Sequence, residues 1–126
     1  MTWYEEKPKR LLTEVMLVKK YYPSARICRV KGSVAILMHV QGRKSEYSLR
    51  VEYPKDFPYS EPKAFIDKPR LKDVPHRWSD KSLCIEGDVT PPETSGKIII
   101  DWAINWIRIF ESWCDTGKWP KRIKGK

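Results

Sequence analysis

From Ser45 to Tyr53 the chain alternates strictly, with Tyr47, Leu49, Val51 and Tyr53 on one face and Glu46, Ser48, Arg50 and Glu52 on the other. A period of two over this length describes a β-strand with one dry and one wet side, the signature of an antiparallel sheet covered by helices on one face only. The alternation ends in Tyr53-Pro54-Lys55-Asp56-Phe57-Pro58-Tyr59-Ser60-Glu61-Pro62. Its three prolines, four residues apart, each lock φ and remove a backbone donor, which no ordinary hairpin requires. Ala25 to Lys31 and Val34 to Val40, the latter bounded by Gly32 and Gly42, predict two earlier strands, and Lys63 to Ile66 a fourth.

Helices are expected on both sides of this meander. Leu11, Leu12, Val15, Met16, Val18 and Tyr22 recur at steps of three and four, predicting a helix over 8–22 that Pro23 ends. A second helix is expected over 97–114, apolar nearly all round except for a stripe of Asp101, Asn105, Arg108 and Ser112, and therefore buried. The fold class is α+β. The 126 residues suffice for one domain: helix 8–22, meander 25–66, an irregular segment 67–96, helix 97–114 and a basic tail 115–126.

The irregular segment is where function is expected. About thirty residues without periodicity are uncommon in so small a domain, and such stretches are usually functional or disordered; Trp78, Leu83 and Ile85 are expected to anchor this one to the core. Within it, Pro75-His76-Arg77-Trp78-Ser79-Asp80-Lys81-Ser82-Leu83-Cys84 builds a loop around one thiol. A thiolate is both a good nucleophile and a good leaving group, the two properties that acyl transfer through a thioester demands. Arg77 and Lys81 provide an electropositive setting that favours the thiolate. His76 lies eight residues upstream, a spacing that by itself is read more simply as a loop histidine bonded to backbone.

The remaining candidates read more blandly. Cys28 lies in a strand-like run and is expected in the core, and His39 is expected to be a satisfied sheet residue. Cys114 is read as structural. Asp80, Glu86, Asp88 and Asp115 are each read first as solvated acids. Three cysteines with no paired spacing fit reduced thiols and neither a disulfide framework nor zinc. The segment Met1–Lys7 has no apolar signal core, and 98–110 is too short and too polar to span a membrane, so a cytoplasmic location is expected. A net charge of +9 favours acidic partners, but basic residues are not interleaved with stacking aromatics on a nucleic-acid-binding module.

Taken together, the proline passage, the cysteine 22 residues after Pro62 and the apolar helix beyond resemble the ubiquitin-conjugating (E2) family over roughly Leu11 to Trp119. The resemblance implies a UBC-like fold and an enzyme that carries a protein C-terminus as a thioester on Cys84, with no metal or organic cofactor. Val74-Pro75-His76 stands where that family has His-Pro-Asn, so His76 takes the place of the oxyanion-donating Asn, and Pro75, Trp78 and Asp80 would support the loop. Thr116-Gly117-Lys118-Trp119-Pro120 is similar to the closure of bacterial E2-like proteins, and the sequence lacks the Trp-x-Pro pair and the two C-terminal helices of eukaryotic members. A reduced bacterial type of this kind is found in antiphage operons beside cGAS-like nucleotidyltransferases. The implied partners are a ubiquitin-like protein or such a nucleotidyltransferase, with an E1-like enzyme, meeting the first helix at Lys9, Arg10, Lys19 and Lys20. A non-catalytic E2-fold binding module is the alternative.

Overall fold

The computed structural model describes residues 1–30, 32–85 and 94–119. In chain order the elements are α1 (Trp3–Glu6), α2 (Pro8–Tyr21), β1 (Arg26–Val30), β2 (Ser33–Gln41), β3 (Glu46–Glu52), β4 (Lys63–Lys68) and α3 (Gly96–Thr116). The four strands form one antiparallel sheet in the order β1-β2-β3-β4.

Register follows from the alternation. Val51 faces Ile36 on one side and Ala64 on the other, and Leu49 faces Met38 and Ile66, so the dry residues of three strands form continuous rows. Tyr47, Leu49, Val51 and Ile36 are fully buried in these rows, beneath the α3 side chains Ile99, Ile100, Ala103, Trp106, Ile107 and Phe110. On the wet face Arg50 pairs with Asp67 and Glu52 and lies over the Phe65 ring.

α3 is longer than the sequence pattern predicts. Ser95 caps its start by accepting from the Ile98 amide, and Gly117, at φ 73°, closes it by donating to the Trp113 carbonyl. Gly suits that left-handed position because it has no Cβ to clash there.

Two buried carboxylates tie the ends of α3 to the rest of the fold, and neither is marked by the sequence pattern. Glu14 on α2 is 3% exposed and accepts from the Tyr53 hydroxyl at 2.6 Å and the Gly96 amide at 2.9 Å. Glu111 is 2% exposed and accepts from the Arg43 and Lys44 amides at 3.0 and 2.9 Å and from the Tyr47 hydroxyl at 3.0 Å, so it binds the β2–β3 turn to α3. Gly42 in that turn leaves room for the carboxylate, which any Cβ there would strike.

Other expectations need correction. On α2, Leu12 and Met16 are 58% and 63% exposed, whereas Glu14 and Val18 turn inward: the dry stripe is narrower than the apolar residues suggest, because α2 lies against the fold along one edge. Tyr22 caps this helix from outside rather than belonging to it. α1 is absent from the sequence reading, although Thr2 and Glu5 form a reciprocal capping box that announces it. Its Trp3 packs on Phe57 and Tyr53, so the proline passage folds around a buried aromatic trio.

Candidate active site

Beyond β4 the chain turns back along the sheet, and the Leu83 amide donates to the Ala64 carbonyl of β4 at 2.8 Å. Leu83, 3% exposed, seats this return in the core, as expected, and Ile85 is half-buried. Between 77 and 83 the chain closes a tight loop. Arg77 and Leu83 form an antiparallel bridge, the Trp78 amide donates to the Ser82 carbonyl at 2.9 Å, and the Lys81 amide donates to the Trp78 carbonyl at 2.8 Å.

Asp80 holds the tip of this loop. Its carboxylate accepts from the Ser82 amide and hydroxyl at 2.9 and 2.6 Å and from the Lys63 ammonium at 2.8 Å. The Lys63 bond is the main reason its acidity is held well below the usual carboxylate range, with the Ser82 bonds next. Trp78 supports the loop through its backbone alone. Its side chain is 61% exposed and is not the core anchor expected of it, because the turn aims it outward.

His76 sits where the loop meets α3. Its carbonyl accepts two hydrogen bonds, from the Cys84 amide at 2.9 Å and from the Trp106 indole Nε1 at 3.1 Å. Its imidazole stacks on Trp119, with centroids 4.7 Å apart and planes 23° from parallel. Trp119 in turn lies 5.3 Å from the Trp106 ring. The expected pair of His76 and Cys84 is thus joined through the backbone, and α3 and the segment after it brace the histidine. His76 has φ 61°, a left-handed conformation that a β-carbon disfavours, and it shares this feature with Asp73 (φ 53°) and Lys81 (φ 72°). Pro75 precedes this turn half-buried, and Val74 packs against the core. The half-buried Cys84 follows directly after the seated Leu83.

The other residues singled out in the sequence lie apart. Cys28 is half-buried on β1 beside an open groove rather than in the core, and Cys114 is exposed near the end of α3. His39 is exposed, 3.4 Å from the Ser48 hydroxyl. Asp115 is held in ion pairs with Arg43 and Lys44. Lys19 donates to the carbonyls of Pro23 and Ala25, fastening the α2–β1 connection, and Lys20 lies over the Tyr21 ring. Glu86, Asp88 and the basic tail from Lys121 onward lie outside the described residues.

Sequence reasoning missed Trp106 and Trp119 as parts of the loop wall. Trp106 falls on the apolar face of a buried helix, so nothing local distinguishes it from its neighbours. Trp119 was legible only as part of a closing motif. Among the described residues, no group of three His, Cys, Asp or Glu side chains is placed to hold a metal, and no helix is long and apolar enough to cross a membrane.

The chain thus has an α+β fold in which Cys84 and His76 lie on one loop joined by a backbone hydrogen bond. The family model described as Type II CBASS E2 protein matches residues 14–125, and the chain belongs to that family, which gives it an E2-like role in CBASS antiphage defence. No curated protein matches this sequence.

Proposed function

We propose that the fold is of the UBC type and that the chain is a conjugating enzyme carrying a partner's C-terminus as a thioester on Cys84. The observation that supports this reading is the hydrogen bond from the Cys84 amide to the His76 carbonyl, which joins the two proposed catalytic residues within one loop. The Cys84 thiolate attacks the carbonyl carbon of an activated C-terminus, an adenylate or a thioester on an E1-like enzyme. A C–S bond forms as the C–O bond to AMP, or the C–S bond to the E1 cysteine, breaks, and AMP or the E1 thiolate leaves. An acceptor amine then attacks the same carbon, forming C–N and breaking C–S; the thiolate departs and the amine proton passes to solvent or a nearby carboxylate. The His76 imidazole N–H donates to the oxyanion of both tetrahedral intermediates. The partner is a cGAS-like nucleotidyltransferase or a ubiquitin-like protein, consistent with a CBASS component.

The test is a non-reducing gel of the chain with its activating enzyme and candidate partner. An adduct removed by thiol reductant and by hydroxylamine is expected, with Cys84→Ser giving a reductant-resistant oxyester or none. An adduct that survives in Cys84→Ala and disappears in Cys28→Ala or Cys114→Ala overturns the assignment. Stable partner binding with no adduct from the unmodified chain would instead make this a binding module.

A further inference from the structure

Beside the loop that carries Cys84, a cleft of about 210 Å³ opens between β4 and the returning chain. Its charged lining consists of Arg50, Asp67, Arg70, Arg77, Asp80 and Lys81. Both carboxylates are already neutralised, Asp67 by Arg50 at 3.0 Å and Asp80 by Lys63 at 2.8 Å. Arg70, Arg77 and Lys81 have no carboxylate partner among the described residues, which leaves three uncompensated positive charges around one small cleft. Arg77 adds a second observation. One of its terminal nitrogens donates to the Leu71 carbonyl at 3.3 Å, but its Nε is buried without any partner. A buried charged donor left unpaired is costly, so the Arg77 guanidinium stands beside the cleft short of a hydrogen bond.

We propose that this cleft binds an acidic side chain of the extended segment leading to the C-terminus that Cys84 carries. Arginine is suited to such a carboxylate, because its planar fork offers more than one donor. The cleft and Cys84 share one loop: Arg77, Asp80 and Lys81 line the cleft, and Arg77 is bridged to Leu83, the residue before Cys84. Polar walls and unbalanced cations favour an acidic peptide over an apolar one. The inference rests on Cys84 being the acyl carrier only for the choice of occupant.

The experiment uses the full chain with Cys84→Ala, so that binding is measured without reaction. The probe is a fluorescein-labelled octapeptide, Ala-Asp-Glu-Asp-Ala-Ser-Ala-Gly, compared by anisotropy with its Asn/Gln analogue and with a single-stranded RNA octamer. The acidic peptide should bind at least tenfold more tightly than the neutral one. Arg70→Glu with Lys81→Glu, both at exposed positions, should remove at least tenfold of that affinity. Lys55→Glu with Lys118→Glu, which changes net charge equally, should remove less than threefold at 150 mM salt, where distant surface charges are screened. Arg77→Gln should weaken the acidic peptide while leaving the neutral analogue unchanged. Equal affinity for the two peptides, equal losses in the two double variants, or tighter RNA binding lost through Arg70 and Lys81 would each overturn the proposal. Failure of the thioester gel would leave this binding result standing, and the reverse also holds.

Discussion

α3 faces two partners, and they are held to it by different means. Against the sheet it lays down a wide apolar surface, where many side chains share the burial and no single atom decides the fit. Against the loop at 73–85, where Leu83 and Val74 also pack on the core, directional contacts are added: the Trp106 Nε1–H on the His76 carbonyl and, just beyond α3, the Trp119 ring on the imidazole. The loop also contains three non-glycine residues at positive φ, each of which costs of order 1 kcal/mol or more and persists only where the surroundings over-determine it. Non-directional burial tolerates conservative change. A strained loop fixed by single hydrogen bonds does not, and so the two regions should respond differently to the same kind of substitution.

The largest effect expected is that of Trp106→Ala, which acts on both regions at once. Removing a fully buried Trp costs roughly 3–5 kcal/mol, enough to unfold much of a marginal domain in chemical denaturation. Trp106→Phe sharpens the comparison. It keeps most of the bulk but loses the Nε1–H bond to His76, so stability should fall by about 1–2 kcal/mol while thioester formation slows by more than tenfold. Equal proportional losses of the two would mean that α3 supports sheet and loop alike.

Next in size is Glu111→Ala on the scaffold side, expected to cost about 2–3 kcal/mol, because the Tyr47 hydroxyl is orphaned in the core while water can reach the turn amides. The pH dependence has a definite sign. Burial pushes this carboxyl up, but the Lys44 and Arg43 amides and the Tyr47 hydroxyl together outweigh burial and hold it below its ordinary value. A depressed folded pKa contributes stability that is present above the unfolded value, about 4.3 for Glu, and is lost as pH falls through the lower folded one. Glu111→Gln should therefore flatten the stability curve in that acid window and leave the thioester rate at neutral pH, scaled to folded protein, unchanged. Denaturant melts from pH 2 to 6 check this.

Substitutions at His76 come third and separate ring from backbone. Alanine is strained at φ 61°, whereas asparagine both tolerates that conformation and supplies a donor, so partial rescue by asparagine alone leaves two explanations. Glycine tolerates the conformation and has no donor. His76→Gly should stay within about 1 kcal/mol of the original stability, yet slow thioester formation by roughly 10²-fold, the usual scale for a lost oxyanion donor. If glycine and asparagine are equally active, the carbonyl and the turn are all that the position contributes.

The smallest expected effect on stability belongs to Trp119→Leu, below about 1 kcal/mol, since this ring packs at the edge of the core. Loss of the stack should remove the ring-current shift of the His76 Cε1 and Cδ2 protons, which Trp119→Phe should partly retain. An unshifted His76 signal in the original chain would remove Trp119 from the loop wall.

Much of the scaffold was legible because burial imposes a period. Tyr47, Leu49 and Val51 fall on the dry face, as alternation requires, and the segment that becomes α3 reads as a buried helix from its apolar residues alone. The reading failed where one face was inferred from residue type rather than from packing: Leu12 and Met16 are apolar yet outside, and Glu14 and Glu111 are charged yet inside. A buried carboxylate leaves no periodic trace, since its partners are amides and hydroxyls distant in sequence. The cysteine loop was legible only as a motif, and Trp78 as an anchor was an error of the same origin, hydrophobicity taken as evidence of burial.

The sequence by itself determined the order of the four strands and the two long helices, the position of the proline passage and the family, because local periodicity and short motifs are carried by residues close in the chain. Only the tertiary structure decided which groups hold the loop that joins His76 to Cys84. The His76 carbonyl receives one bond from Cys84 and another from Trp106, thirty residues away, while Trp119 arrives from beyond the end of α3. Such contacts depend on how helix, loop and sheet are placed in space, and no pattern within a single segment encodes that placement.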